Sequence, residues 1–361
     1  MPFCSRSKSS IHQNHLSRSE FLELLHSDRF QGLSAGAAEY PPPCFSQMSA
    51  FQRQSFTRRH LIGAAIRPLF SAWLPDTCVK FTYDSHSRRG GVLDVAASIG
   101  CIIPGVVFQV SEGGWEALDT KEGAPHVYNK VVRQCLTRDG EAHDVLTYEV
   151  QDDRRRPFVP PSRDYLRIVE EGLDEYALPR AHIYRAAENL PAQPLDAVFV
   201  YGSLMRCESR HSLLGTLKCA LLAETPGTLF DCGTYPAMRL FGSGFNTGLV
   251  QGEFIRIADV EVLRELDAVE GFMGFGKPGS LFRRALIEVG MRDGRIRQAW
   301  AYVEVSAVGD NSCEIPSASW REHRGRETQF VRELVRAHVG ERERDTVRAI
   351  ANRGPFPPEN E

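Results

Sequence analysis

The chain has 361 residues, of which 42% are hydrophobic and 25% charged, ordinary proportions for a soluble protein and a length that suits two domains. A net charge of −3 makes no electrostatic case for nucleic acid or an anionic membrane, and no run of about 20 apolar residues exists to span a bilayer. The nine cysteines are scattered, with no Cys-x-x-Cys pair and no zinc-type His spacing, which suits reduced thiols in a cytoplasm and no metal site.

Residues 1–43 are rich in Ser, Arg and His, with one short amphipathic stretch at 20–30, and lack the apolar centre of a secretory signal. They read as a disordered or mis-started extension, with an organelle transit peptide as the weaker alternative. Pro41-Pro42-Pro43 marks the boundary. The first domain is expected over 44–190. Its strand Cys78-Val-Lys-Phe-Thr-Tyr leads through Ser85-His-Ser-Arg-Arg-Gly-Gly to Val92-Leu-Asp-Val, and Gly90-Gly91 marks a sharp bend or a close approach to the backbone. A helix follows at 162–176, introduced by Pro160-Pro161, capped by Ser162, and apolar at Tyr165, Ile168, Val169 and Leu173. Residues 191–196 read as an extended, proline-bearing linker.

The second domain, 197–320, opens with the buried strand Ala197-Val-Phe-Val, then Tyr201-Gly202-Ser203-Leu204-Met205 and a short helix predicted over 208–214. Strand, Gly-Ser and helix start would present free backbone N–H groups to an anion. Turns are predicted at Pro226-Gly227 and Tyr235-Pro236, and a helix over 259–266 that runs into Leu266-Asp267-Ala268-Val269-Glu270-Gly271. Residues 321–361 read as a charged tail with a helix at 328–338.

The two domains repeat one another. Leu118-Asp119-Thr120-Lys121-Glu122-Gly123 matches the motif around Glu270, the two glutamates standing 148 residues apart (270 minus 122). Gly105-Val-Val-Phe matches Gly252-Glu-Phe-Ile upstream, and Tyr128-Asn129-Lys130 matches Phe282-Arg283-Arg284 downstream. Asp139-Gly140 and Asp293-Gly294 each signal a two-residue hairpin that runs into an aromatic strand. A shared order of strand, helix, Leu-Asp-x-x-Glu-Gly, strand, hairpin and strand implies two homologous domains.

Tyr201-Gly202-Ser203-Leu204-Met205, the two Pro turns and Leu266-Asp267-x-x-Glu270-Gly271 resemble the gamma-glutamylcyclotransferase-like superfamily, with a Tyr-Gly-Ser-Leu form similar to its avirulence-induced and gamma-glutamylamine cyclotransferase branch. The first domain resembles the glutathione-related or bacterial branch through Ser87-Arg-Arg-Gly-Gly-Val-Leu-Asp-Val, Leu118-Asp-x-x-Glu122-Gly, Tyr128 and the Pro-Ser-x-x-Tyr-Leu helix. The fold class so implied is α/β (α+β): two tandem small mixed β-barrels with flanking helices. In the first domain the substrate loop reads as Cys44-Phe45-Ser46-Gln47-Met48, with Phe45 where the glycine belongs, so that loop is either degenerate or given a wrong start.

The resemblance implies a small-molecule gamma-glutamyl substrate whose α-amine attacks its own γ-carbonyl, releasing an amine and 5-oxoproline, without a cofactor. Glu270 would be the general acid/base, and Tyr201, Gly202, Ser203 and Leu204 would hold the glutamyl group. Tyr235 either lines the pocket or is a core tyrosine, Asp267 is structural, and Glu122 is a candidate second site. Arg283 and Arg284 alternate on a strand, so at least one is expected to face solvent. Ser203 lacks the setting of a nucleophile, since no His is placed to activate it. The rivals are a non-catalytic binding or regulatory protein on the same fold, and an acyltransferase acting on another amide. With its loop intact, the second domain alone, 191–361, is expected to keep most of the activity, with the first as a folded intramolecular partner.

Overall fold

The apolar runs of both repeats become strands because their alternating side chains have two faces to bury. The computed structural model describes residues 44–46, 66–138, 140–240, 248–305 and 312–325. The stretch at 20–30, residues Gln47, Met48 and Asp139, and the helix predicted at 328–338 lie outside them.

The first domain comprises β1 (Cys44–Ser46), β2 (Ile66–Ser85), β3 (Gly90–Val110), α1 (Glu112–Glu122), β4 (Tyr128–Leu136), β5 (Ala142–Val150), α2 (Arg163–Glu175) and α3 (Ala181–Ala187). Its strands close in the order β1-β3-β2-β4-β5, with β1 parallel to β5. The second domain comprises β6 (Ala197–Val200), β7 (Leu217–Asp231), β8 (Pro236–Leu240), β9 (Gly248–Ile257), α4 (Val262–Val269), β10 (Phe282–Met291), β11 (Ile296–Glu304), β12 (Cys313–Glu314) and α5 (Trp320–His323). Here β6-β9-β7-β10-β11 form the ring, β10 pairing back onto β7 and β11 running parallel to β6, while β8 and β12 pair with β7 off the ring. The two rings are one topology, and the fold is two small mixed barrels with flanking helices.

They share register as well as order. Ala72 faces Gly105 across β2–β3, and Ala223 faces Gly252 across β7–β9. Cys44 meets Leu146 where the first ring closes, and Val198 meets Trp300 where the second does. Phe45 therefore corresponds to Phe199, and each ring lies over a glycine, Gly105 or Gly252, where a Cβ would come within 3 Å of it. This corrects the reading of the first domain's loop. Cys44-Phe45-Ser46 is a strand, with Cys44 and Phe45 buried, and counting on along the sequence from Phe45 and Phe199 aligns 47–51, Gln-Met-Ser-Ala-Phe, which lie outside the described residues, with 201–205.

Local signals fare well where they are short-range. Ser162 caps α2, its hydroxyl accepting from the Tyr165 amide at 3.3 Å, and Tyr165, Val169 and Leu173 are buried. The backbone that approaches Gly91 is that of Val159 and Pro160, whose carbonyl accepts the Gly91 N–H at 2.9 Å. The hairpins differ from expectation. The Met291 amide bonds to the Arg295 carbonyl and Thr137 to Glu141, leaving three-residue loops with a left-handed glycine, Gly294 or Gly140, in third place. Pro226-Gly227 is not a turn but part of β7, because Gly227 admits the Arg239 carbonyl where a Cβ would meet it at 2.6 Å.

The barrels pack on each other. Trp73 and Leu136, both from the first, are buried in the apolar cluster of the second, with Ile99 and Ile102 against its edge. The linker is docked, the Leu195 amide donating to the Gly100 carbonyl at 2.9 Å. Polar contacts cross over as well: Arg284 to Asp76, Arg283 to the Gly140 carbonyl and, at 3.7 Å, to Glu141, Arg138 to Glu288 at 3.0 Å, and the Gly276 amide to Gln134 at 3.0 Å.

Candidate functional site

Helix α4 forms because Leu263 and Leu266 bury one face, and it ends because Gly271 takes φ +65°. The Gly271 amide bonds to the Ala268 carbonyl at 3.3 Å and the Phe272 amide to Asp267 at 2.8 Å, which is the Schellman pairing. Glu270 is the last residue before the left-handed glycine. Its carbonyl accepts from the Phe282 amide at 3.3 Å, tying the turn to the start of β10. In the first barrel Gly123, at φ +69°, and Ala124 make the same two bonds to Thr120 and Asp119, so Glu122 holds the same station.

Glu270 is partly buried, and its carboxylate has no hydrogen-bond partner among the described residues. Burial lifts its pKa above the usual range, partly opposed by Arg210. Its charge reaches the hydroxyls of Tyr201 and Tyr302, pushing both further up than burial alone. Glu122 instead lies 3.1 Å from the Lys121 ammonium.

The loop after β6 lies within electrostatic reach of this carboxylate, through Tyr201 at its start and Arg210 at its end. Tyr201 is buried and donates its hydroxyl to the Tyr302 carbonyl at 2.7 Å, so it serves as an anchor. Gly202 has an ordinary negative φ. It is required because a Cβ would meet Pro236 Cγ at 2.7 Å, which sets Tyr235-Pro236 against the loop. The backbone then turns repeatedly, with Met205 N to Gly202 O at 3.0 Å and Arg210 N to Ser203 O at 2.9 Å. The N–H groups of Gly202, Ser203 and Leu204 have no acceptor among the described residues. The helix predicted at 208–214 is only a 3-10 turn, His211–Leu214, so free donors come from the turn itself and not from a helix start. Leu204 is buried, and Tyr235 is exposed with its ring 5.9 Å from Phe282, so it is not a core tyrosine.

The base of the loop is held by buried charge. Glu253 accepts from the Arg206 amide at 2.9 Å and from Arg321 at 3.2 Å, and Arg321 also bonds the Arg206 carbonyl. Arg321 begins the segment read as a tail, yet it is buried within the second barrel. On the other side His323 meets Asp231 at 2.7 Å, fastening the β7–β8 hairpin that carries Tyr235.

Several site residues escape sequence reading. Tyr302 donates to Asp267 Oδ1 at 2.6 Å, and Tyr148 to Asp119 at 2.7 Å; the repeat could have exposed that pair. Burial raises the Asp267 pKa, with Arg284 and the Tyr302 hydroxyl pulling it back. Glu304 on β11 lies 3.3 Å from Arg239, yet burial still raises its pKa, and its charge acts on Tyr201. No sequence signal marks it. Arg284 is fully buried and Arg283 turns to the first barrel, so neither stands free in solvent as the alternation had implied. No cluster of His, Cys, Asp and Glu among the described residues could hold a metal, and no helix among them is long and apolar enough to cross a membrane.

Two family profiles match in tandem. One described as "Gamma-glutamyl cyclotransferase, AIG2-like" covers residues 198–322, and one described as "AIG2-like family" covers 103–185. Similar solved structures include one titled gamma-glutamyl cyclotransferase, 20% identical, spanning 42% of this chain and 89% of its own, at a TM-score of 0.36. An AIG2-like protein from Mus musculus is 19% identical over 32% of this chain and 81% of its own, at 0.26. YkqA from Bacillus subtilis is 15% identical over 82% of this chain and 97% of its own, at 0.31. No curated protein matches the chain.

Proposed function

The chain carries an AIG2-like segment followed by a gamma-glutamyl cyclotransferase, AIG2-like segment, and from that premise we propose that its second barrel is a gamma-glutamylcyclotransferase-type enzyme with Glu270 as general acid/base. One observation carries the reading: a partly buried carboxylate without a hydrogen-bond partner, within electrostatic reach of a loop with three unengaged N–H groups. The turn at 202–204 binds the α-carboxylate of a gamma-glutamyl compound, as backbone donors and a short loop suit an anion. That holds the substrate's α-amine near Glu270 and its own γ-carbonyl.

The α-amine is protonated at neutral pH and has no lone pair to attack with. Glu270 removes one proton, and burial makes it a stronger base than an exposed carboxylate. The amine nitrogen then bonds to the γ-carbon and closes a five-membered ring. As the amide C–N bond breaks, Glu270 returns the proton to the departing nitrogen, and the second proton that the ring nitrogen sheds on becoming an amide is taken up by the released amine. The products are 5-oxoproline and a free amine, with no water consumed. Fixing amine and carbonyl together contributes as much as the proton transfer, because the attack is intramolecular and only orientation is needed.

The first barrel is read as a scaffold. Glu122 is paired with Lys121, and Gln47 and Met48 replace Tyr201 and Gly202. The test is release of 5-oxoproline from gamma-glutamyl amines, gamma-glutamyl amino acids and glutathione, by the full chain and by Glu270→Gln. Turnover by the full chain and its loss in the variant is the expected result. Release of glutamate instead would move the protein to hydrolysis of an amide, and no turnover of any member would leave a binding protein.

A further inference from the structure

Resting on that reading of the second barrel, we propose that the first barrel completes its catalytic turn: Asp76 is a positioning residue that acts through Arg284 on the segment bearing Glu270. The internal repeat supplies the comparison. In the first barrel Asp119 receives the Tyr148 hydroxyl and the Lys130 ammonium, each at 2.7 Å, and Lys130 lies 5.4 Å from the Trp115 ring. The Lys130 side chain is 35% exposed, so water and one carboxylate suffice for its charge.

The second barrel keeps the pattern but buries it. Arg284 takes the place of Lys130 and Tyr302 that of Tyr148, as the β4–β5 and β10–β11 registers require, and Asp267 takes that of Asp119, as the matching helix ends require. Arg284 is 0% exposed, with its guanidinium 5.7, 5.3 and 5.1 Å from the rings of Phe272, Phe275 and Trp300. Asp267 stands 3.5 Å from Nη1, too far for a good hydrogen bond, because its other oxygen is held by Tyr302. Nε and Nη1 have no hydrogen-bond partner among the described residues. The one charge-assisted hydrogen bond Arg284 makes there is from Nη2 to Asp76, which belongs to the first barrel.

Asp76 is built for this reach. It sits at the bulge between Pro75 and Thr77, at φ +50°, a left-handed conformation that Asp tolerates better than most residues. Its Oδ1 accepts the Gly100 amide at 2.8 Å, which aims Oδ2 at Arg284. A buried guanidinium needs a hydrogen-bonded anion, and removing that partner strands the charge. Arg284 in turn brackets the turn of Glu270. It pairs with Asp267 on one side and stacks on Phe272 on the other, so a shift of the guanidinium moves both ends of the segment between them.

The experiment compares full-chain variants. Asp76→Asn keeps an acceptor for Gly100 but loses the charge. Its kcat for 5-oxoproline release is expected to fall about tenfold or more, with KM within about twofold, since an ångström of misplacement costs rate before binding. The groups that face Glu270 are Tyr201, Tyr302 and Arg210, and those that face Asp267 are Arg284, Tyr302, Asp76 and Arg264. A loosened turn lets water reach Glu270, so the acid limb of the kcat profile is expected to move to lower pH. Asp76→Glu is expected to recover part of the rate. The pair Asp76→Asn with Arg284→Met removes the stranded charge and is expected to regain thermal stability without regaining kcat.

Wild-type kcat and pH profile in Asp76→Asn would overturn the proposal, as would a double variant that recovers rate together with stability. If the wild-type protein releases no 5-oxoproline, the functional reading fails separately. Carboxylate NMR then decides the positioning: the Glu270 signal, assigned by its loss in Glu270→Gln, is expected to titrate lower in Asp76→Asn, and an unmoved titration overturns the idea.

Discussion

Glu270 is where stability and activity conflict. Its pKa is raised in the folded protein, so the folded state holds the proton more tightly than the unfolded chain. The sign follows: the group costs no stability below the ordinary glutamate range and destabilises increasingly as pH rises through the folded value. Glu270→Gln keeps the shape and removes the charge, so its melting temperature at pH 8 is expected to match or exceed wild type, with no such gain at pH 4. Turnover of the same variant is expected to drop about 10²–10⁴-fold, the usual loss for a general acid/base, with substrate affinity little changed. A variant with wild-type turnover would remove Glu270 from the chemistry. Glu122→Gln is the matched control. Glu122 lies against Lys121, and its barrel has Met48 where the second has Gly202, so its loss is expected to leave 5-oxoproline release within about twofold of wild type. Losing half the activity or more would make the first barrel a working site.

At the scale of the element, the helix ending was the most legible part of the site. Leu-Asp-x-x-Glu-Gly reads from sequence because a C-terminal glycine is a local requirement, set by one residue's φ. Gly271 meets it under a second constraint, since a Cβ would stand 3.1 Å from Leu281 Cβ. Gly271→Ala is therefore expected to cost about 1–3 kcal/mol in chemical denaturation and to lower kcat by moving Glu270. Unchanged stability would mean that the turn adapts freely. What sequence could not supply is long-range. Nothing near Gly202 says that Pro236 needs the space of its Cβ, and nothing near Arg206 foretells Glu253 and Arg321. The strand β1 was misjudged because three residues carry too little pattern to fix a register. Only the pairing of Phe45 with Val107 shows that the loop begins later. Strand alternation implies that at least one of Arg283 and Arg284 faces solvent, but it says nothing of a second domain covering either face.

For the whole molecule, the intact loop and Glu270 imply that residues 191–361 alone keep most of the activity, and the interface argues against it. Leu136 is fully buried and belongs to a strand of the first barrel, yet its apolar neighbours form the core of the second. Trp73, opposite it across β2–β4, does the same. A chain limited to residues 191–361 would lose both side chains, each worth about 1.5–3 kcal/mol on burial, and would leave Arg284 without its hydrogen-bonded anion. Typical domains have only about 5–15 kcal/mol in total, so those losses are a large share. The fragment is accordingly expected to melt well below the full chain and to keep only a minor part of its turnover, the reverse of what an intact loop and Glu270 suggest alone. Leu136→Ala in the full chain tests the coupling without cutting it. It is expected to cost about 2–5 kcal/mol, and to lower the temperature at which 5-oxoproline release is lost by the same amount as the temperature of unfolding. Two independent transitions, with the second barrel's activity surviving the first, would instead mean that the barrels share a surface but not a stability.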